Sequence, residues 1–169
     1  MRSTRCDLIA EGVFGDGSHE TTKLMLDALE EANPRGKTVL DIGTGTGILA
    51  ISAKKQGAAE VFAVDTDRSA LDTARENFRR NGVEIFSRLN ILNEYLNVRT
   101  AITLANLPPH EVRALLDQAE ETMTEDGVLI VSFPAGAFRQ DCRRPLREWE
   151  IIRERNGEEW DVFTLRRKR

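Results

Sequence analysis

Residues 39–50 read VLDIGTGTGILA: an apolar run interrupted by Asp41, three glycines at every second position, then an apolar helical pattern. The simplest reading is a strand that enters a tight turn and leaves as a helix. Gly43, Gly45 and Gly47 give the turn access to positive φ and let main chain approach a ligand without a side chain in the way. The helix that follows offers unpaired N–H groups and the positive end of its dipole, an arrangement suited to a carboxylate or phosphate.

Working outward, residues 19–32 place Thr21, Met25, Ala28, Leu29 and Ala32 on one helical face, and a strand follows at 38–42. A helix over 48–56 stops at Gly57, and EVFAVD (60–65) reads as a short buried strand ending at Asp65. Asp67 caps the next helix, whose apolar face carries Ala70, Leu71, Ala74 and Phe78, and Asn81-Gly82 ends it. A strand near 83–87 is weakly patterned, whereas 100–106 is a better buried one. Val112, Leu115, Leu116, Ala119 and Met123 fall on one helical face, and GVLIVSF (127–133) is the most apolar strand. WEIIRER, NG and EEWDVFTLRR then read as a β-hairpin with Asn156-Gly157 at its turn. Strands alternating with helices predict an α/β fold, a parallel sheet covered on both faces with an antiparallel addition at its end.

The length of 169 residues fits one compact domain. A net charge of -4 argues against a global basic field for nucleic acid. Cys6 and Cys142 have no neighbouring ligands at metal-site spacing and read as reduced thiols of a cytoplasmic protein. No apolar stretch approaches the length needed to cross a bilayer, so no membrane partner and no metal are expected. Arg139, Arg143, Arg144 and Arg147, with the tail at 166–169, form either a basic docking surface or a solvated face interspersed with acids.

In a doubly wound sheet, ligands bind beyond the carboxyl ends of the strands, which places the loops after 42, 64 and 105 at the site. Asp65 stands about twenty residues beyond the turn, where an acid accepts from both hydroxyls of a ribose. Turn and acid together indicate an adenosine-containing cofactor, either a nicotinamide dinucleotide or S-adenosylmethionine. The dinucleotide fingerprint has glycine at its sixth position, where Ile48 stands here. A G-x-G-x-G turn preceded by Asp41 suits S-adenosylmethionine better.

These residues resemble the class I S-adenosylmethionine-dependent methyltransferases. More narrowly, FGDGSHETT (14–22) resembles the loop before the catalytic core of the ribosomal protein L11 methyltransferase family, whose pattern is F-G-T-G-x-H-x-T-T. The resemblance runs from about Phe14 to the C-terminus and implies a Rossmann-like sheet of seven strands, mostly parallel, the last one antiparallel. It implies S-adenosylmethionine as cofactor and S-adenosylhomocysteine as product. Carried across position by position, the cofactor set is Phe14, Thr22, Asp41, Gly43, Thr44, Gly45, Gly47, Asp65, Asn90 and Asn106. In that set Gly43 touches the methionine end, Asp65 the ribose and Asn90 the adenine. Asn106, in LANLPP, lines the transfer site and is the catalytic residue, orienting the acceptor nitrogen.

Two departures bear on the substrate. The L11 family carries a separate N-terminal domain that presents the ribosomal protein, whereas about a dozen residues precede Phe14 here. A single domain over 1–169 without that part is therefore expected. NLPP also stands where the family reads Asn-Ile or Asn-Leu without the double proline. It invites comparison with the Asn-Pro-Pro-Tyr enzymes that methylate adenine or glutamine nitrogens, although Leu107 is inserted and His110 follows the prolines; the prolines equally suit the first turn of a helix. The leading expectation is methyl transfer to nitrogen of a protein, a ribosomal protein among the candidates. An RNA adenine or small-molecule N-methyltransferase and a non-catalytic S-adenosylmethionine-binding partner subunit remain open. His19 is either a base or a helix cap, His110 a candidate substrate contact, and Phe14 a lid or a hydrophobic staple. Trp149 and Trp160 read as core or sheet-face residues.

Overall fold

The computed structural model describes residues 6–89 and 99–169. Three helix–strand units come first: α1 (Glu20–Ala32) and β1 (Thr38–Ile42), α2 (Ile48–Lys55) and β2 (Glu60–Asp65), α3 (Arg68–Arg80) and β3 (Phe86–Leu89). Then follow β4 (Thr100–Ala105), α4 (Pro109–Leu116), a 3-10 turn at Ala119–Thr122 and β5 (Met123–Pro134). The short α5 (Phe138–Asp141), a second 3-10 turn at Pro145–Glu148, and strands β6 (Trp149–Asn156) and β7 (Trp160–Arg167) complete the chain. All seven strands form one sheet in the order β3-β2-β1-β4-β5-β7-β6. The first five run parallel, and β7 is antiparallel to both β5 and β6.

Period-two alternation distributes the core over both faces. Val39, Val61, Ile102, Leu104 and Ile130 point to one side, where Met25 and Leu29 of α1, Ile51 of α2 and Phe78 of α3 cover them. Leu40, Ile42, Leu129, Val131 and Phe163 point to the other, under Val112 and Leu115 of α4 and Phe138 of α5. Each of these fully buried aliphatic or aromatic side chains contributes about 1.5–3 kcal/mol. Local signals set the ends: Asp67 accepts from the Ser69 N–H to cap α3, and Asn33 closes α1 at a left-handed φ of 50°. Pro109 opens α4, where a missing N–H costs nothing.

Three expectations are corrected. Met123 and Ala119 do pack in the same core as Val112 and Leu115, but α4 ends at Leu116 and Met123 already pairs with Thr100 in β5. Apolar periodicity reports which side faces the core, not whether the helix continues. The weak strand sits at Phe86–Leu89 rather than 83–87, on the sheet edge, where one neighbour makes alternation unnecessary. In the hairpin, Asn156 is still a ladder residue opposite Asp161, and Gly157 does not take the positive φ of a two-residue type I′ turn. Glu20 overrides that local signal: its carboxylate accepts from the N–H groups of Glu158, Glu159 and Trp160 at 2.6, 3.0 and 3.0 Å.

The winding reverses between β1 and β4, which lie side by side with Ile42 paired to Ala105. Their following loops leave a crevice at the carboxyl edge. Among the described residues, no helix is long and apolar enough to cross a membrane.

Candidate active site

A cleft of about 740 Å3 opens over this switch point, within the size range of small-ligand sites. Gly43, Gly45 and Asp65 form one wall; Asn106, Leu107 and Pro108 form the floor of the opposite half; Phe14, His19, Thr21 and Trp160 close it from the side.

On the first wall, the N–H groups of the glycine turn are all taken within the chain. Gly43 and Thr44 donate to the Val64 carbonyl at 2.9 and 3.0 Å, Thr46 to the Phe14 carbonyl at 3.1 Å, and Gly47 to Thr44 at 2.8 Å. Gly45 donates to Asp65 Oδ2 at 2.9 Å. The turn is thus held by β2 and by the Phe14 loop, and what it presents to the cleft is shape and the Asp65 carboxylate. Asp65 Oδ1 accepts from the Asp67 N–H at 2.9 Å, so each carboxylate oxygen carries one main-chain bond and keeps a lone pair. Gly45 has a φ of 55°, and a Cβ there would stand 2.5 Å from the Phe14 carbonyl oxygen. At Gly47, φ of 83°, a Cβ would run into the Phe78 ring. Packing within the chain demands these two glycines whatever the cleft holds.

Asp41 lies beneath the turn and is 1% exposed. Burial drives its carboxyl up to about 7, against the opposing hydrogen bonds from Thr44 Oγ1, at 2.7 Å, and the Ala50 N–H. It braces the turn from below and does not line the cleft, nor do Thr44 and Gly47.

Across the cleft, polar side chains form a chain. Ser132, fully buried in β5, donates from Oγ to Asn106 Oδ1 at 2.6 Å. Asn106 Nδ2 donates to Thr21 Oγ1 at 3.0 Å, and Thr21 Oγ1 lies 2.9 Å from His19 Nδ1. His19 Nδ1 also accepts the Thr21 N–H at 3.3 Å, making His19 the N-cap of α1. Its ring stands edge-on to Phe14 and Trp160, with centroids 5.2 and 5.9 Å away. The three main-chain donors on Glu20 hold its carboxyl below the usual range, and this anchor brings Trp160 to the cleft.

Of the residues expected at the site, Phe14, Gly43, Gly45, Asp65 and Asn106 meet at the cleft. Thr22 is buried inside α1 with an unpartnered hydroxyl, and its neighbour Thr21 takes the cleft position. Asn90 lies outside the described residues. Phe14 is 54% exposed, yet its carbonyl is pinned to the turn. His110 is in solvent beside Glu111, away from the lining. Trp149 is core, donating to the Leu116 carbonyl, whereas Trp160 is a cleft wall. Ser132 and Glu20 carry no signal in the sequence that marks them, whereas Thr21 stands beside Thr22 in the FGDGSHETT stretch. Arg139 pairs with Glu154 and Arg113 with Asp141, so acids interrupt the basic surface. Cys142 is buried, its thiol pushed up to about 11, and Cys6 and Cys142 are not joined in a disulfide. Among the described residues no three His, Cys, Asp or Glu side chains gather as a metal site.

Comparison with known proteins bears on the family and the fold. The family model described as Ribosomal protein L11 methyltransferase (PrmA) matches residues 9–168. The ribosomal protein L11 methyltransferase of Thermotoga petrophila is 33% identical over 156 residues, covering 91% of this chain and 59% of that protein. That of Symbiobacterium thermophilum is 42% identical over 119 residues, covering 70% and 39%. The crystal structure of the ribosomal protein L11 methylase from Lactobacillus delbrueckii subsp. bulgaricus matches with a TM-score of 0.86 at 29% identity, covering 93% of this chain and 82% of that one. The chain spans about half the length of the curated relatives it matches. A seven-stranded sheet with its antiparallel end, the glycine turn with Asp65, and a family match over residues 9–168 lead to one conclusion: this chain belongs to the ribosomal protein L11 methyltransferase family of class I S-adenosylmethionine-dependent methyltransferases.

Proposed function

We propose that the cleft binds S-adenosylmethionine and that the chain transfers its methyl group to a nitrogen of a protein, ribosomal protein L11 being the substrate for which its relatives are named. The observation that carries this reading is the pairing of Ile42 with Ala105, which sets the glycine turn and Asn106 side by side at the switch point.

The residues present fit the cofactor. Asp65 keeps one lone pair on each oxygen for the two hydroxyls of a ribose. At Gly43 only the movable Leu107 side chain lies over the main chain, leaving backbone that a methionine chain can approach. When bound, S-adenosylmethionine supplies a methyl group on a sulfonium, an electrophile whose departure needs no acid. Asn106 Oδ1 holds one bond from Ser132 and accepts a second from the acceptor nitrogen, orienting its lone pair and stabilising the charge it gains. Phe14 and Trp160 line this half of the cleft with apolar ring surface. A substrate ammonium must lose its proton before attack, and His19 does not take it, because Nδ1 is committed to the cap of α1. The Asn106 loop offers no ring for a flat base: Leu107 packs across Gly43, and His110, 72% exposed, stands outside. That favours a protein side chain over adenine.

The test is transfer of labelled methyl from S-adenosylmethionine to purified L11 and to a cell extract, with protease and RNase controls. Protease-sensitive label on L11 is expected. RNase-sensitive or low-mass label moves the acceptor to nucleic acid or a small molecule, and S-adenosylhomocysteine binding with no label makes the chain a silent binding module.

A further inference from the structure

We infer that His19 is a hydrogen-bond donor to a carbonyl or carboxylate oxygen bound in the cleft, through Nε2–H. Four hydrogen bonds fix the direction. The Thr21 N–H points at His19 Nδ1, so Nδ1 carries no proton. Thr21 Oγ1, 2.9 Å from that same nitrogen, then donates its only proton to it. Having given that proton, Thr21 Oγ1 acts as acceptor for Asn106 Nδ2, which turns Asn106 Oδ1 towards the Ser132 hydroxyl. The reverse orientation fails at one point: a proton on Nδ1 would face the Thr21 N–H and cost α1 its cap. Every donor therefore runs one way, from Ser132 to Asn106 to Thr21 to His19.

A neutral imidazole with an unprotonated Nδ1 carries its proton on Nε2. Nε2 makes no hydrogen bond among the described residues, although the ring lines the cleft and is wedged edge-on between Phe14 and Trp160. The Asp16 carboxylate in the same loop is engaged by the Ser18 N–H and Oγ at 2.8 and 2.6 Å. A fixed, unpaired N–H on a cleft wall calls for an oxygen acceptor from the ligand. Two sources share that chemistry: the methionine carboxylate of the cofactor and a peptide carbonyl of the acceptor protein. The inference rests on the reading of the cleft proposed above, and its first test does not.

That first test is the 15N spectrum of the imidazole in the wild-type chain. The Nε2-protonated tautomer is expected, and a protonated Nδ1 overturns the proposal. The second is His19→Asn, whose side-chain oxygen replaces Nδ1 as cap while the Nε2–H is lost. With the cap kept, Tm should fall only by what the lost ring edges to Phe14 and Trp160 supply. If the cofactor carboxylate is the acceptor, affinity for S-adenosylhomocysteine falls about ten-fold while that for 5′-methylthioadenosine, which has no carboxylate, holds. If the acceptor protein is bonded, S-adenosylhomocysteine binds as before and KM for L11 rises about ten-fold with kcat kept. His19→Gln, with an amide N–H near the Nε2 position, should restore part of the loss while lowering Tm. His19→Asn with both affinities unchanged overturns the proposal. A wild-type chain that binds no S-adenosylhomocysteine overturns the reading of the cleft and the ligand half of this inference, and the tautomer still decides the hydrogen-bond chain.

Discussion

The turn between Asp41 and Gly47, of which Gly43 and Gly45 reach the cleft, is main chain held largely by main chain, while the wall facing it is side chain held by side chain. On the first, each N–H from Gly43 to Gly47 ends on a carbonyl or on Asp65, and the residues come from two consecutive strand–loop units. On the second, Phe14, His19, Thr21, Asn106 and Trp160, with Ser132 buried behind Asn106, are brought together from distant parts of the chain by single hydrogen bonds and ring edges. A main-chain wall cannot be retuned without rebuilding the turn, which suits a cofactor common to a whole class. The side-chain wall can change one residue at a time, which suits the acceptor. It also explains why the same fold serves many substrates.

Breaking the first wall should do the most damage. Gly45→Ala forces a left-handed alanine against the Phe14 carbonyl; we expect S-adenosylhomocysteine binding to vanish in calorimetry and urea unfolding to show a loss of about 3 kcal/mol. Asp41 gives the same wall a pH signature. Its carboxyl lies near 7 in the fold against 3.8 in the unfolded chain, so the folded state holds the extra proton between those values. The Asp41 contribution to stability should be full near pH 4, fall by on the order of 4 kcal/mol as pH rises through 7, and then level; Asp41→Asn should remove that component of the slope in urea titrations from pH 4 to 8. Asn106→Ala strikes the second wall: turnover should drop roughly 10²–10³-fold while affinity for S-adenosylhomocysteine stays within about three-fold. Asp65→Ala should do the reverse, weakening S-adenosylhomocysteine about 100-fold and turnover at saturation far less. Two variants with interchangeable effects on binding and turnover would erase the distinction between the walls.

The contrast also governs what the sequence could reveal. Alternating strands and helices, the turn, and Asp65 at its distance are local patterns, so period and spacing were sufficient to find them. That the Phe14 loop and Asp65 take N–H groups of the turn is a long-range matter that no spacing in the sequence shows. Which of Thr21 and Thr22 faces the cleft depends on how α1 is rotated, and that is set by Glu20 on the hairpin and His19 at the cap. Ser132 sits inside an apolar strand, where a serine looks like a filler until its partner across the sheet edge is known. Asn156-Gly157 is a strong turn signal, outvoted by three main-chain bonds to one distant carboxylate.

The most direct test of the account follows the amide resonances of the 15N-labelled chain through a titration with S-adenosylhomocysteine. Saturable shifts are predicted at Gly43, Gly45 and Asp65 and at the Asn106 side-chain amide. Saturable binding that leaves those four unmoved and shifts signals away from the switch point would contradict it.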